Sequence, residues 1–479
     1  MSNAPRRSSS PPDPKEVARR SLVERALGVI TEVRAGEGGT ALLMTLNVFL
    51  LLTAYYLIKP VREGLIGSVK HGPEYKSYMG GAVALALFAI VPLYGMLAAR
   101  LKRNVLISSV SLFFVANLVG FWMLGRLPWV ATETGATVYA LAFLLWVGVF
   151  NLMIVAQFWA FAADVYTDEQ GKRLFALIGL GASVGAVMGS LVMNRVVTEL
   201  GTEHMMLVAA VTLALATAVT LLIHRRESRR PRAPDPEKER KQREEKEAKQ
   251  SSQGAFSLVL HDRYLLLIAA FTVLFQIVNT NGEFILSSLV ADASRAVTET
   301  REEQKAWIAS YYGSFFLWVN IAGVAIQTFL VSRIVKWGGL KVGLLIFPVV
   351  ALISEAAIAV VPVLLLVRIG KTAENSLDYS LNNTLRNALW LPTTTRAKYV
   401  AKQAIDSFVS RVGDMGSALA IFILIDALHL TVRAVATLNA CLVLAWIYVS
   451  IEIVRENGKL TEDAKGKALS RLEAAGASA

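Results

Sequence analysis

Runs of about twenty apolar residues recur along this chain, each long enough for a helix to cross about 30 Å of hydrocarbon. They fall at 40–66, 78–99, 104–125, 138–163, 174–194 and 204–224. After a charged stretch they resume at 264–290, 307–332, 340–361, 363–391, 403–428 and 432–454. The sequence therefore predicts an all-α polytopic membrane protein of about twelve transmembrane helices in two six-helix bundles. The expected organisation is an N-terminal tail (1–39), a first bundle (40–224), a charged linker (225–263), a second bundle (264–454) and a C-terminal tail (455–479).

Composition supports a single membrane unit. Hydrophobic residues make up 54% and charged residues 18%, with a mean hydropathy of +0.49, whereas a soluble chain of 479 residues would divide into several charged-surfaced domains. The net charge of +12 would suggest nucleic acid in a soluble protein. Here it follows from Lys and Arg gathering in cytoplasmic loops, so no nucleic-acid partner is expected. Arg100, Lys102 and Arg103 follow the second run, Arg333, Lys336 and Lys341 the eighth, and Arg396, Lys398 and Lys402 the tenth. All three groups share one side, and the positive-inside rule places that side and both termini in the cytoplasm of a bacterial inner membrane. The N-terminus, MSNAPRRSSSPPDPKEVARR, lacks the apolar core of a signal peptide, so no cleavage is expected. Cys441 is the sole cysteine, which excludes an intrachain disulfide, and the five histidines lack metal-ligand spacing. No metal or cofactor is expected. There is no Walker loop, GxSxG or HExxH, and GLGASVG has neither the spacing nor the preceding strand of a dinucleotide loop, so an enzyme is not indicated.

The stretch 225–253 has almost no apolar residue and reads as a solvated linker. It divides the chain into similar halves. LAARLKRNVLIS ends the second run and LVSRIVKWGGLKVGLL the eighth, while SVGAVMGS in the fifth parallels RVGDMGSA in the eleventh. Transporters built from such repeats bind solute near the midplane between them.

Polar residues inside the membrane are costly and usually face the bundle interior. In the tenth run Arg368, Lys371, Glu374, Asp378, Asn382 and Arg386 are spaced 3, 3, 4, 4 and 4 residues apart, one side of a helix that should line a cavity. In the eleventh, Gln403, Asp406, Ser410 and Asp414 follow the same pattern, and Asp406 could pair with Arg411 or Lys402. The first run carries Lys59, Pro60, Arg62 and Glu63 with the apolar run continuing beyond them, and two cations there suit an anionic solute. Snorkelling to the headgroups is the simpler alternative. In the seventh run Gln276, Asn279 and Glu283 share a face, and Glu283 is expected to carry protons or to pair with a cation such as Arg62. Glu355, isolated in ALISEAAIAV, reads as a polar contact between helices. Gly181, Gly185 and Gly189 form a small-residue stripe for close helix approach.

Two stretches, FWAFAADVYTDEQGKRLFALIGLGASVGAVMGS (158–190) and DYSLNNTLRNALWLPTTTRAKYVAKQAIDSFVSRVGDMGSA (378–418), resemble the ATP/ADP translocases of obligate intracellular bacteria and plastids, relatives of the major facilitator fold. The second carries Tyr-Ser-Leu, a cationic position, an aromatic-aliphatic-Pro and Lys-x-Ala-Ile-Asp. The resemblance implies alternating-access transport of a nucleotide. It places Arg62 at a functional lysine of the first span, Glu283 near an acidic residue of the seventh, Arg386 at the Lys after Tyr-Ser-Leu, and Lys402 and Asp406 in the Lys-x-Ala-Ile-Asp motif. The chain departs from the pattern at Val147, Asp378 and Asp414, where the family carries an acidic, a basic and often a lysine residue. These losses widen the expected solute from ATP and ADP to a nucleotide or another phosphorylated metabolite. The substrate-binding set expected is thus Lys59, Arg62, Asn279, Glu283, Asn382, Arg386, Lys402 and Asp406. The chain should act as a monomer in contact with lipid. A facilitator-type exporter of another organic solute, or a membrane sensor or scaffold that has lost transport, are the alternatives.

Overall fold

The computed structural model describes residue 24 and residues 31–101, 103–228, 255–394 and 396–477. Most of the N-terminal tail, Lys102 and the linker over 229–254 lie outside the described residues. Those described form helices joined by short turns, with no strand among them. Among the described residues, nine helices are long and apolar enough to cross a membrane. Two of them, Glu169–Glu227 and Arg301–Val360, run to 59 and 60 residues. At 1.5 Å per residue each would extend about 90 Å, three bilayer cores, so neither can be one crossing. Both break at a glycine with positive φ, Gly201 at 79° and Gly339 at 62°. Only glycine adopts such a conformation without a Cβ penalty.

Divided at these breaks, the helices are α1 (Gly38–Gly67), α2 (Gly72–Arg100), α3 (Arg103–Leu124), α4 (Glu133–Val165), α5 (168–200) and α6 (202–227). After the linker come α7 (Arg263–Val297), α8 (301–338), α9 (340–360), α10 (364–388), α11 (396–427) and α12 (Val432–Ala477). These match the twelve apolar runs of the sequence, mostly lengthened by a turn or more at their ends. α10 falls outside the nine because its composition is too polar. The largest extension is α12, expected to end at 454 and helical to Ala477. Its continuation is held by Arg263, whose Nε pairs with Glu456 at 3.5 Å, and by Asn457, whose Nδ2 donates to Tyr264 Oη at 2.7 Å.

The starts of several helices follow from local chemistry. Thr167 with Gln170, and Thr300 with Glu303, form capping boxes that satisfy first-turn N–H groups of α5 and α8. Asp262 accepts from Leu265 N at 3.1 Å and starts α7. Part of the expected N-terminal tail is also anchored, since Thr31 Oγ1 donates to Arg173 O at 2.6 Å and Arg173 pairs with Glu37 at 2.9 Å.

α1 and α6 meet where the first half starts and ends, with Asn47 Nδ2 donating to Ala216 O at 2.6 Å and Thr40 Oγ1 to Glu227 at 2.6 Å. That end of the bundle, shared with the start of α7, is called the terminal face, and the opposite end the far face. Each half has its own aromatic core. Phe121, Phe143, Trp146 and Phe150 pack in the first, and Phe271, Phe275, Phe347 and Trp446 in the second.

The glycine stripe of α5 lies against α1. A Cβ on Gly181 would stand 2.7 Å from Thr45 O, on Gly185 2.3 Å from Phe49 O, and on Gly189 2.5 Å from Thr53 O. Real Cβ atoms do not approach backbone so closely, so α1 and α5 touch only because these residues lack one. Gly95 and Gly120 have open space around the same position. Gly185→Ala should therefore lower the thermal midpoint of the purified protein by several degrees, because the two helices must separate. Gly120→Ala should leave the midpoint level or raise it slightly. Equal midpoints for the two variants would contradict the close approach.

Candidate functional site

The two halves meet along a seam, and among the described residues the polar bonds that join them lie from mid-bundle to the far face. α1 approaches α8, where a Cβ on Gly64 would stand 2.6 Å from Lys305 O. α5 approaches α8, with Asn320 Nδ2 donating to Ser190 Oγ at 3.3 Å. Tyr78 of α2 donates its hydroxyl to Asp426 of α11. At the far face Arg301 Nη1 donates to the carbonyls of Ala131 and Thr132, at 3.3 Å each.

At the centre of the seam is an ion network. Glu63 of α1, only 1% exposed, accepts from Arg62 and stands 2.7 Å from the ammonium of Lys76 on α2. Lys76 also stands 3.7 Å from Glu283 on α7, and Asn375 of α10 donates to Glu283 at 3.1 Å. Three helices, two from the first half and one from the second, thus meet on alternating charges, and α10 joins them through the amide of Asn375. The expected pairing of Glu283 with a cation is formed, though not by Arg62, whose guanidinium is committed to Glu63. The partner of Glu283 is Lys76, which precedes the apolar run that starts at Tyr78. Pro73, in the first turn of α2, lets the helix begin at Gly72 and brings Lys76 inside it.

Lys59 reaches across the seam. Its Nζ lies 3.9 Å from the centroid of Phe316 on α8 and 3.4 Å from the hydroxyl of Tyr379 on α10. The rings of Tyr55 and Tyr56 stand at 6.0 and 5.8 Å from the same ammonium. A cation over aromatic faces is favourable where water is scarce.

The polar positions of α10 do not all share one cavity. Lys371 and Glu374 are buried and paired with each other at 3.0 Å, and Asn279 Oδ1 accepts from Lys371 at 3.1 Å. Asn382 is buried too, donating to Asp378 at 2.7 Å. Arg386 is more open, with its side chain 27% exposed. A π-helical turn at Asp378–Asn382 explains the divergence. Its extra residue rotates the downstream face by about 100°, so a spacing that shares one side in an α-helix is split.

Arg386 pairs with Asp406 at 3.3 Å, and Lys402 donates to Asn387 Oδ1 at 2.8 Å. Arg411, one of the two partners open to Asp406, pairs instead with Asp414 at 2.7 Å, which also accepts from Gln276 at 2.7 Å. A second π-helical turn, at Ile405–Val409, separates Asp406 from Arg411. The eight expected residues therefore fall into three places: Lys59, Arg62 and Glu283 at the seam, Asn279 and Asn382 inside the second half, and Arg386, Lys402 and Asp406 toward the terminal face. A cavity of 570 Å³ lies elsewhere, at the far face, lined by Lys70, His71, Glu74, Asp292 and Arg295 among others. Its charges are mixed and it opens to that face.

Comparison with known proteins agrees with this architecture. The family model of the Major Facilitator Superfamily matches residues 43–381. The chain is 21% identical over 302 residues to ADP,ATP carrier protein 1 of Chlamydia muridarum, covering 56% of this chain and 55% of the carrier. It is 23% identical over 350 residues to ADP,ATP carrier protein 5 of Rickettsia bellii, covering 65% and 68%. The matched part thus spans about half the length of the Chlamydia carrier. Among solved structures, a POT family transporter in complex with 5-aminolevulinic acid superposes with a TM-score of 0.61 at 13% identity, over 92% of this chain and 98% of that one. The nucleoside transporter NupG superposes with a TM-score of 0.58 at 11% identity, over 86% and 99%.

Removing one member of a buried ion network strands the charge of the other, at about 3–5 kcal/mol. Lys76→Met should therefore markedly lower the thermal midpoint of the purified protein, and Glu63→Gln added to it should restore part of the loss. Equal stability of wild type, single and double variants would show that the network carries no weight.

Proposed function

The chain belongs to the Major Facilitator Superfamily, and on that premise we propose that it exchanges a phosphorylated anion, a nucleotide by first choice, across a bacterial cell membrane by alternating access. The observation that carries this reading is Lys59 at the seam between the halves, with Arg386 part-exposed toward the terminal face. Lys59 bonds to Tyr379 at the seam, and Arg386 stands seven residues farther along α10, about 10 Å nearer the terminal face. An elongated ligand with a polyanionic end fits two such positions. Arg386 and Lys402 would meet phosphate oxygens, the guanidinium through paired N–H donors. Tyr55 and Tyr379 would offer aromatic faces to a base. Glu283 and Arg62 would act by holding the seam, and Asn279 and Asn382 by shaping α7 and α10. The names of the Chlamydia and Rickettsia relatives support ATP and ADP as the first solutes to try.

The terminal face is read as cytoplasmic. The basic residues Arg100, Arg333, Arg396 and Lys398 stand in or beside the turns of that face, as the positive-inside rule requires. The proposed organisation keeps two six-helix units joined by the charged stretch after α6.

The test is uptake of labelled ATP by liposomes holding the purified full chain and loaded with ADP. Wild type should exchange. A charge-assisted hydrogen bond contributes about 1.5–3 kcal/mol, so Arg386→Gln should weaken apparent affinity by about tenfold to a hundredfold. Arg386→Lys should fall between, since charge is kept and paired geometry lost. Normal uptake by Arg386→Gln would refute the anion role. Wild-type uptake of a neutral organic solute but of no nucleotide or phosphorylated compound would favour the exporter reading.

A further inference from the structure

Within the second half lies a buried group of charges that solute binding does not use. Glu355 of α9 is fully buried. Its Oε1 accepts from Asn439 Nδ2 of α12 at 2.9 Å, the polar contact between helices that the sequence suggested, but Oε2 has no hydrogen-bond partner. Lys371 of α10 faces it across Gly282. A Cβ on that glycine would stand 3.0 Å from Lys371 Nζ and 3.2 Å from Glu355 Oε1, so the missing side chain is what leaves room for both. Yet the hydrogen bonds of Lys371 go to Glu374, at 3.0 Å, and to Asn279. Glu374, 2% exposed, also keeps one oxygen, Oε1, without a partner.

Two carboxyl groups share one ammonium in a space without exposure. With both ionised, the group would hold a net negative charge away from water, which the membrane interior strongly disfavours. One proton restores neutrality. Glu374 has Lys371 as its close counter-ion and Glu355 has none, so the proton belongs on Glu355.

We propose that Glu355 is a proton-binding site that couples proton movement to the transport cycle, with Lys371 and Glu374 as its charge partners. The charged groups facing it are Lys371 and Glu374 from α10, with Glu283 of α7 beyond Lys371. α12 and α11 present neutral groups, Asn439 and Ser417, both bonded to Asn281. Loss of the proton draws Lys371 toward Glu355 and away from Glu374 and Asn279. Both of those partners are close in sequence to the seam. Asn279 precedes Glu283 by one helical turn, and Asn375, next to Glu374, donates to Glu283, which faces Lys76 of the other half. A proton taken up from one side of the membrane, when the cleft opens there, is released to the other after the halves have rocked.

Two measurements on the full chain test this. Infrared difference spectra between neutral and alkaline pH should show the carbonyl stretch of a protonated carboxylic acid in wild type. The band should vanish in Glu355→Gln, and in Glu374→Gln, where Lys371 is left to balance Glu355, it should be lost at lower pH than in wild type. Should Glu355→Gln fail to fold, Glu355→Asp should give a displaced band. Absence of the band in wild type, or its persistence unshifted in either Glu355 variant, would overturn the proposal. In liposomes, ATP accumulation driven by a pH gradient should be lost in Glu355→Gln, and exchange should lose its dependence on pH. Accumulation equal to wild type would likewise overturn it. The infrared measurement needs no solute, so an inability to move ATP would count against the nucleotide reading alone.

Discussion

A charge inside a lipid-spanning bundle must have a partner, and where the partners are found decides how this protein is put together. Glu63 is held by Arg62 on its own helix and by Lys76 on the next, and Lys76 reaches Glu283 in the other half. The first half thus presents the second with a cation that is already partly neutralised, and the second answers with a carboxylate steadied by Asn375. The bond across the halves is the longest of these contacts, at 3.7 Å, while those within the first half are tighter. When such a contact opens, Lys76 keeps Glu63 as its counter-ion and Glu283 keeps the hydrogen bond of Asn375.

Packing reinforces the same division. Within the first half, glycines of α5 bring the backbone of α1 into direct contact, an arrangement that leaves no freedom to slide. Between the halves, contacts through Gly64 and Gly313, the Asn320–Ser190 bond and the loop contacts of Arg301 crowd from mid-bundle to the far face. Arg386, Lys402 and Asp406 are left more open toward the terminal face. Two rigid units joined along one part of their interface, with cations toward the other end, form an architecture suited to rocking around a ligand held between them.

Much of this was legible in the residue pattern. Twelve apolar runs map onto twelve helices because hydrocarbon thickness sets run length, whatever the partners. The stripe of Gly181, Gly185 and Gly189 could be read as a contact surface, since four-residue spacing places small residues on one side of a helix. The site was harder to read. The i, i+3 and i+4 spacings of α10 assume an unbroken α-helix, and the π-helical turns at 378–382 and 405–409 rotate one part against the other. Nothing in the side chains around Asp378 or Asp406 announces such a turn. Lys76 was missed because hydropathy marks where apolar residues begin, and α2 begins six residues earlier, at Gly72. Its pairing with Glu283 joins positions far apart in sequence, and spacing rules reach only along one helix.

The account rests on two halves that exchange one closed face for another. Spin labels on cysteines at Glu169 and Lys398 would report the terminal face, and labels at Glu133 and Glu299 the far face; all four positions are exposed. In a Cys441→Ser background, electron–electron distances in lipid should respond to ATP in opposite directions, the terminal pair shortening as the far pair lengthens. Distances at both faces that stay fixed with ATP, or that shorten together, would contradict a rocking mechanism about the Lys76–Glu283 seam.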